Sequence, residues 1–308
     1  MIELNHLFRF YGETRAVDDV SFQVGPGEVF GYIGPNGAGK TTSMRVLATL
    51  DLPTHGDAFV DGFSVVDDPD RVRQRLGYMP DSFGTYANVN VREYLDFFAR
   101  AYGLVGRERT RSMQRVMAFT QLDQLAEKPI NGLSKGMKQR LCLGRAMIHD
   151  PGVMILDEPA AGLDPRARIE LRSMVRQLAE NGKAILVSSH ILSELGEMCD
   201  RVAIIEQGKL LAVGSVAEIQ ERTQSQRSVQ VRPLGDDEPV INWLEQHQRI
   251  GEVHRHDGLV VFSHDGDQSF EAEILGELIR AGFTIAEYAN QAHSLEDVFL
   301  HVTEGRIQ

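Results

Sequence analysis

Cysteine is nearly absent from the 308-residue chain: only Cys142 and Cys199 occur, far apart and without metal-ligand spacing. A disulfide framework and a cysteine metal centre are therefore excluded, and two buried thiols in a reducing cytosol are expected. No apolar run approaches the ~20 residues that span a bilayer. The first residues, Met1-Ile2-Glu3-Leu4-Asn5-His6, lack the basic start and apolar block of a signal peptide. Excess positive charge is missing too. The net charge is −12. That argues against nucleic acid as a partner, because phosphate contacts need clustered Lys and Arg. It argues equally against adhesion to anionic lipid. Lysine is absent from Glu221 to Gln308, where 16 acidic residues face seven arginines, so most of the net charge lies in the tail.

What is present suits an ordinary globular protein of two domains, with 42% hydrophobic and 25% charged residues. Residues 2–10 and Val20–Val24 carry strand patterns, and Gly25-Pro26-Gly27 turns the second into a short apolar strand at residues 28–33. Antiparallel strands thus lead into a parallel core. Ala58–Val60 and Arg75–Pro80 read as further strands. Residues from about 82 to 148 form a helical insertion, with apolar residues at helical spacing at Val91, Tyr94, Leu95, Phe98 and Tyr102, and again around Met113–Phe119. Its last helix runs from Ser134, a natural N-cap, to Ile148. Val153–Leu156 and Ala184–Val187 are continuous apolar runs, the mark of strands buried on both faces. A long helix over 165–180 separates them. Val202–Ile205 and Leu210–Val213 read as a hairpin around Gly208.

The polar, aperiodic stretch from Thr223 to Ser228 reads as a linker, which places one domain at 1–222 and a second at 223–308. The tail patterns as β-α-β-β-α-β, a small ferredoxin-like α+β sandwich. His254, His256 and His264 read as solvated positions around its central hairpin rather than as a metal site.

Chemistry concentrates on Gly34-Pro35-Asn36-Gly37-Ala38-Gly39-Lys40-Thr41, followed by Thr42. The pattern G-x-x-x-x-G-K-T, between a predicted strand and a predicted helix, is the phosphate-binding loop of α/β P-loop NTPases. Its glycines let successive backbone N–H groups ring a phosphate, and the helix start adds its own free donors. Lys40 reaches the β- and γ-phosphates, and the Thr41 hydroxyl ligates Mg²⁺. Asp157-Glu158 follows a buried strand directly. Asp157 is the natural second Mg²⁺ partner, and Glu158 the candidate for polarising an attacking water.

Asn131-Gly132-Leu133-Ser134-Lys135-Gly136-Met137 then narrows the class. It resembles the L-S-G-G-Q signature of the ATP-binding subunits of ABC transporters, with Ser134 and Gly136 matching and Lys135 and Met137 departing. The resemblance covers roughly residues 2–222. It implies that Ser134 and Gly136 bind the γ-phosphate held by a second subunit. It also implies that Gly162-Leu163-Asp164-Pro165 is the loop packing across the dimer, with Asp164 beside the nucleotide. His190 would be the switch histidine that contacts the γ-phosphate, and Tyr11 the aromatic that stacks on adenine. Met79-Pro80-Asp81 departs where the family has Gln, and the carboxylate of Asp81 is a further Mg²⁺ candidate. Phe83 and Tyr86 would border a groove for a membrane subunit. Ser294–Leu300 resembles the ending of drug-resistance-type ABC-2 exporter ATPases.

The resemblance thus implies an ATPase using ATP and Mg²⁺, paired with a second copy of itself or a related ATPase subunit. It would drive a separate integral membrane permease toward export from the cytoplasmic face of the membrane. Two other readings stand beside it: a soluble ABC-type ATPase without a membrane partner, and a nucleotide-gated regulator.

Overall fold

The computed structural model describes residues 1–82, 84, 88–190, 195, 196, 198–223, 227–256 and 258–290. Phe83, Tyr86, the middle of the expected linker, Asp257 and Ser294–Leu300 lie outside them.

The chain divides into two compact units, Met1–Ala217 and Glu218–Gln308. In the first, β1 (Ile2–Tyr11) and β2 (Thr14–Val24) form a long hairpin. β4 (His55–Val60) pairs with β1 from the other side, and the two-residue β5 (Phe63–Ser64) follows. Alternation of buried and exposed positions along β2 turns Val20, Phe22 and Val24 inward.

The second sheet is built on β3 (Val29–Ile33), β6 (Leu76–Met79), β7 (Val153–Leu156), β8 (Ala184–Ser189), β9 (Arg201–Glu206) and β10 (Lys209–Ser215), in the order β10-β9-β3-β8-β7-β6. Strands β6 to β9 and β3 run parallel, and only β10 returns antiparallel. β3, β7 and β8 are buried along their whole length, as uninterrupted apolar runs require. The expected hairpin at β9–β10 is there, but β9 also pairs with β3 and so belongs to the main sheet. One apolar core joins the two sheets, with Leu4, Phe22, Phe30, Tyr32, Ile155 and Leu186 among its members.

Helices connect the strands: α1 (Lys40–Leu47), α2 (Pro69–Arg75), α3 (Val91–Ala101), α4 (Gly106–Phe119), α5 (Lys135–Ala146) and α6 (Pro165–Glu180). α2 was not expected, and Arg75 ends it rather than opening β6. Of its residues only Val72 is buried, so no apolar period betrays it. α3, α4 and α5 form the helical insertion. Asn90 and Glu93 close a reciprocal capping box on α3, and the Ser134 hydroxyl caps α5 by accepting from Met137 N–H at 3.3 Å.

Helix α7 (Val216–Thr223) carries the division between units. The second unit holds β11 (Arg227–Pro233), α8 (Glu238–Glu245), β12 (Ile250–His256), β13 (Leu259–His264), α9 (Gln268–Arg280) and β14 (Ile285–Asn290). Its wholly antiparallel sheet has the order β12-β13-β11-β14, the split β-α-β arrangement expected for the tail. His254 and His256 are exposed. His264 corrects the expectation, because it is only 1% exposed, packed between Phe262 and Phe270 with Glu271 Oε1 3.4 Å from its Nε2. Strand register explains this. β13 alternates, and His264 shares the inward face with Val260 and Phe262.

Candidate functional site

Parallel pairing aligns the carboxyl ends of the central strands. Ile33 lies opposite Ser189, and Leu156 opposite Val187. Whatever follows these strands must gather at one edge of the sheet, where ligand sites form in such folds. The loop 34–39 leaves β3 there and runs into α1.

Two glycines are obligatory in that loop. Gly39 has φ 111°, and a Cβ on it would run into the Ala16 carbonyl of the β1–β2 hairpin. A Cβ on Gly34 would run into the Ile205 carbonyl of β9. The loop is also clamped from outside. Gly208 N–H donates to the Ala38 carbonyl at 2.9 Å, and Asp18 N–H to the Gly208 carbonyl at 2.8 Å. Lys40 curls back over the loop and donates to the Gly34 carbonyl at 2.6 Å and the Pro35 carbonyl at 3.2 Å. Burial lowers its pKa, against the opposing pull of the Glu158 and Asp157 carboxylates.

The acidic pair meets it. Thr41 Oγ1 donates to Asp157 Oδ1 at 3.2 Å, and so does Ser188 Oγ at 2.7 Å. Ser188 Oγ in turn accepts from Glu158 N–H at 2.9 Å. Asp157 is 1% exposed. Burial raises its pKa, which the Ser188 and Thr41 bonds oppose and the Glu158 and Asp81 charges reinforce. Its Oδ2 is buried without a hydrogen-bond partner. An orphaned buried carboxylate oxygen beside a threonine hydroxyl is a hard-oxygen donor set suited to Mg²⁺.

Glu158 adopts φ 48°, a left-handed conformation unusual for glutamate. Its Oε2 lies 2.8 Å from His190 Nδ1 and its Oε1 3.6 Å from Lys40 Nζ. Asp81, two residues beyond β6, is exposed at the same edge, since Asp157 N–H bonds the Met79 carbonyl at 2.8 Å.

Ser134, Gly136 and Asp164 form a second group, and Tyr11 stands apart from it. Ser134 caps α5, and Asp164 caps α6 by accepting from Ala167 N–H at 2.9 Å. A Cβ on Gly136 would stand 3.2 Å from Ala167 Cβ, so the two helix starts abut. Lys135 is exposed and lays its ammonium over Gly162. Tyr11, 47% exposed, hydrogen-bonds Asp51 and stacks on Arg9.

Ser188 is the participant that sequence reading missed. The available signal was a polar residue closing an otherwise apolar buried run, one register step from Asp157.

The chain is similar to known proteins over both units. The family described as ABC transporter matches residues 17–161, and the C-terminal domain of ATP-binding proteins like DrrA1-3 matches residues 214–303. YxlF of Bacillus subtilis (strain 168), an uncharacterized ABC transporter ATP-binding protein, is 34% identical over 306 residues, 99% of this chain and 100% of its own length. The chain belongs to the ABC transporter ATP-binding proteins. This ABC subunit is also 34% identical to the bacitracin transport ATP-binding protein BcrA of Bacillus licheniformis, across 99% of this chain and 98% of that one. A solved ATP-binding subunit of an ABC transporter superposes with TM-score 0.66 at 31% identity, covering 72% of this chain and 92% of that one. Both units of the ABC subunit thus have counterparts in one family.

Proposed function

We propose that this subunit hydrolyses ATP between two copies of the chain, or with a related ATPase subunit, and so drives a separate membrane permease in the direction of export. The observation that carries this is the convergence of Lys40, Thr41, Asp157, Glu158 and His190 at one sheet edge. In this reading Gly34, Pro35, Asn36, Gly37, Ala38, Gly39 and Thr42 cradle the phosphates through their backbone and the start of α1. Lys40 leaves its loop carbonyls for the β- and γ-phosphates.

Thr41 and Asp157, with Asp81 as a third donor, would hold Mg²⁺, which neutralises phosphate charge. Glu158 orients the attacking water and takes its proton, which requires hydrogen-bond reach to that water. His190 holds the Glu158 carboxylate and lies at the end of β8 toward the γ-phosphate. Ser134 and Gly136 of the second copy present the N-terminus of α5 to that phosphate, and Asp164 joins them from the start of α6. Tyr11 stacks on the base.

A relative whose name is Nod factor export ATP-binding protein I, 33% identical over 98% of this chain, supports export as the direction. Among the described residues no helix is long and apolar enough to cross a membrane, so a permease would supply the path and hold this subunit at the cytoplasmic face. We assign the nucleotide-binding domain to residues 1–222 and an accessory domain to 223–308.

Glu158→Gln tests the reading. It should cut kcat on the order of 10²–10⁴-fold while retaining ATP binding. The variant should elute as a dimer with ATP and as a monomer without it. Normal hydrolysis would remove Glu158 from its role, and an elution volume indifferent to ATP would sink the two-copy site. Failure to copurify with any integral membrane protein would sink the permease assignment.

A further inference from the structure

A tyrosine at a hairpin turn is usually free to swing, but Tyr11 is held at two points. Its hydroxyl donates to Asp51 Oδ2. Arg9, two residues back on β1 and so on the same strand face, lays its guanidinium 4.3 Å from the ring centroid. Arg9 and Asp51 then lock each other. Arg9 Nε donates to Asp51 Oδ2 at 3.1 Å, and its terminal nitrogen lies 2.7 Å from Oδ1. Leu52 N–H steadies the same carboxylate at 2.9 Å. The side chains of Arg9 and Asp51 are 22% and 16% exposed, whereas Tyr11 is 47% exposed. The ion pair is sheltered and the ring is presented.

Position adds meaning. Tyr11 pairs with Thr14 at the end of the β1–β2 hairpin, and that hairpin packs its Ala16 carbonyl on Gly39 of the phosphate loop. One ring face is covered by Arg9, so a flat ligand has a single face to stack on.

We propose that Arg9 and Asp51 are positioning residues that hold Tyr11 at a fixed angle for stacking on the purine of the bound nucleotide. This rests on the reading in which the loop 34–42 binds ATP. The layers run guanidinium, phenol, purine. Because a π-face carries no hydrogen-bond code, the stack accepts adenine and guanine alike. Its contribution is a preorganised surface in place of a rotor that must be frozen on binding. Asp51 lies 40 residues from Tyr11, just beyond α1, so the base platform and the phosphate helix are tied into one frame.

The experiment is steady-state kinetics of the full chain with ATP and GTP, alongside inhibition by inorganic tripolyphosphate, which has no base. Asp51→Asn and Arg9→Met should each raise KM for both nucleotides roughly five- to tenfold. Saturating kcat should change less than twofold, and the tripolyphosphate inhibition constant should stay at the wild-type value. Tyr11→Ala should raise KM at least as much, and adding Asp51→Asn to it should raise KM no further. If Tyr11→Ala raises KM while Asp51→Asn and Arg9→Met do not, the positioning role is overturned. If Asp51→Asn weakens tripolyphosphate as much as ATP, the residue acts on the fold at large, and the proposal is again overturned. A Tyr11→Ala variant with unchanged KM for ATP removes the stacking premise itself, and the proposal with it.

Discussion

Lys40 Nζ and Glu158 Oε1 stand 3.6 Å apart, with side chains only 6% and 13% exposed. The lysine therefore faces the acidic pair while bonded to its own loop carbonyls. Its charge is sheltered from water, so the interaction is stronger than a surface ion pair. In the proposed reading, a triphosphate would draw the ammonium away from those carbonyls.

Lys40→Met keeps the length of the stem and removes the charge. It should raise the Kd for ATP on the order of 10²-fold, as loss of a charge-assisted phosphate contact in a sheltered site implies. Binding of a fluorescent ATP analogue to the purified subunit measures this. A Kd within threefold of wild type would show that the backbone cradle alone carries the phosphates.

Gly39 and Gly37 both have positive φ, at 111° and 82°, but their surroundings differ. A Cβ at Gly37 meets nothing within 4 Å, whereas one at Gly39 strikes the Ala16 carbonyl. Gly37→Ala should cost about 1–2 kcal/mol through backbone strain alone. Gly39→Ala adds a collision with main chain and should melt at a clearly lower temperature than Gly37→Ala. Equal melting temperatures in calorimetry would contradict the packing of the hairpin on the loop.

His149 predicts acid sensitivity. Its Nε2 lies 3.2 Å from the Leu76 carbonyl, so it carries the ring proton there, and its ring stacks on Tyr102 at 3.7 Å between centroids. Nδ1 is buried without a hydrogen-bond partner. A second proton would find no acceptor, and burial lowers the pKa to about 4. The folded pKa lies below the ordinary value of 6.5, so the unfolded chain binds this proton first. The stability tied to neutral His149 is full above that value and drains away as pH falls toward about 4. His149→Phe keeps a flat ring against Tyr102 and removes the titration. Its melting temperature should fall less than the wild type's between pH 7 and pH 4.5; parallel curves would refute this.

Much of the site was legible because its chemistry needs neighbours in sequence. The loop 34–42 and the pair Asp157-Glu158 are contiguous, and their flanking apolar runs disclose buried strands. Ser134 could be recognised as the cap of a helix, since capping is a local signal. Other features depended on distant pairing. Ser188 reaches Asp157 only because β7 and β8 are adjacent and in register. Asp51 reaches Tyr11 across α1 and the sheet edge. His264 turned inward because of strand phase, which the apolar run ahead of Ser263-His264 does not declare. α2 escaped notice because tertiary contact at Val72, rather than an apolar stripe, holds it.

The left-handed backbone at Glu158 separates two demands that usually coincide. A glycine there would relax the chain, since a residue with a Cβ in that region bears strain of order 1 kcal/mol. The turn aims the carboxylate between Lys40 and His190, a direction an ordinary extended continuation of β7 would not give it. Variants that improve the fold at this position are thus expected to blunt the chemistry. Position 158 is where a stability screen and an activity screen of the same library should rank substitutions in opposite order.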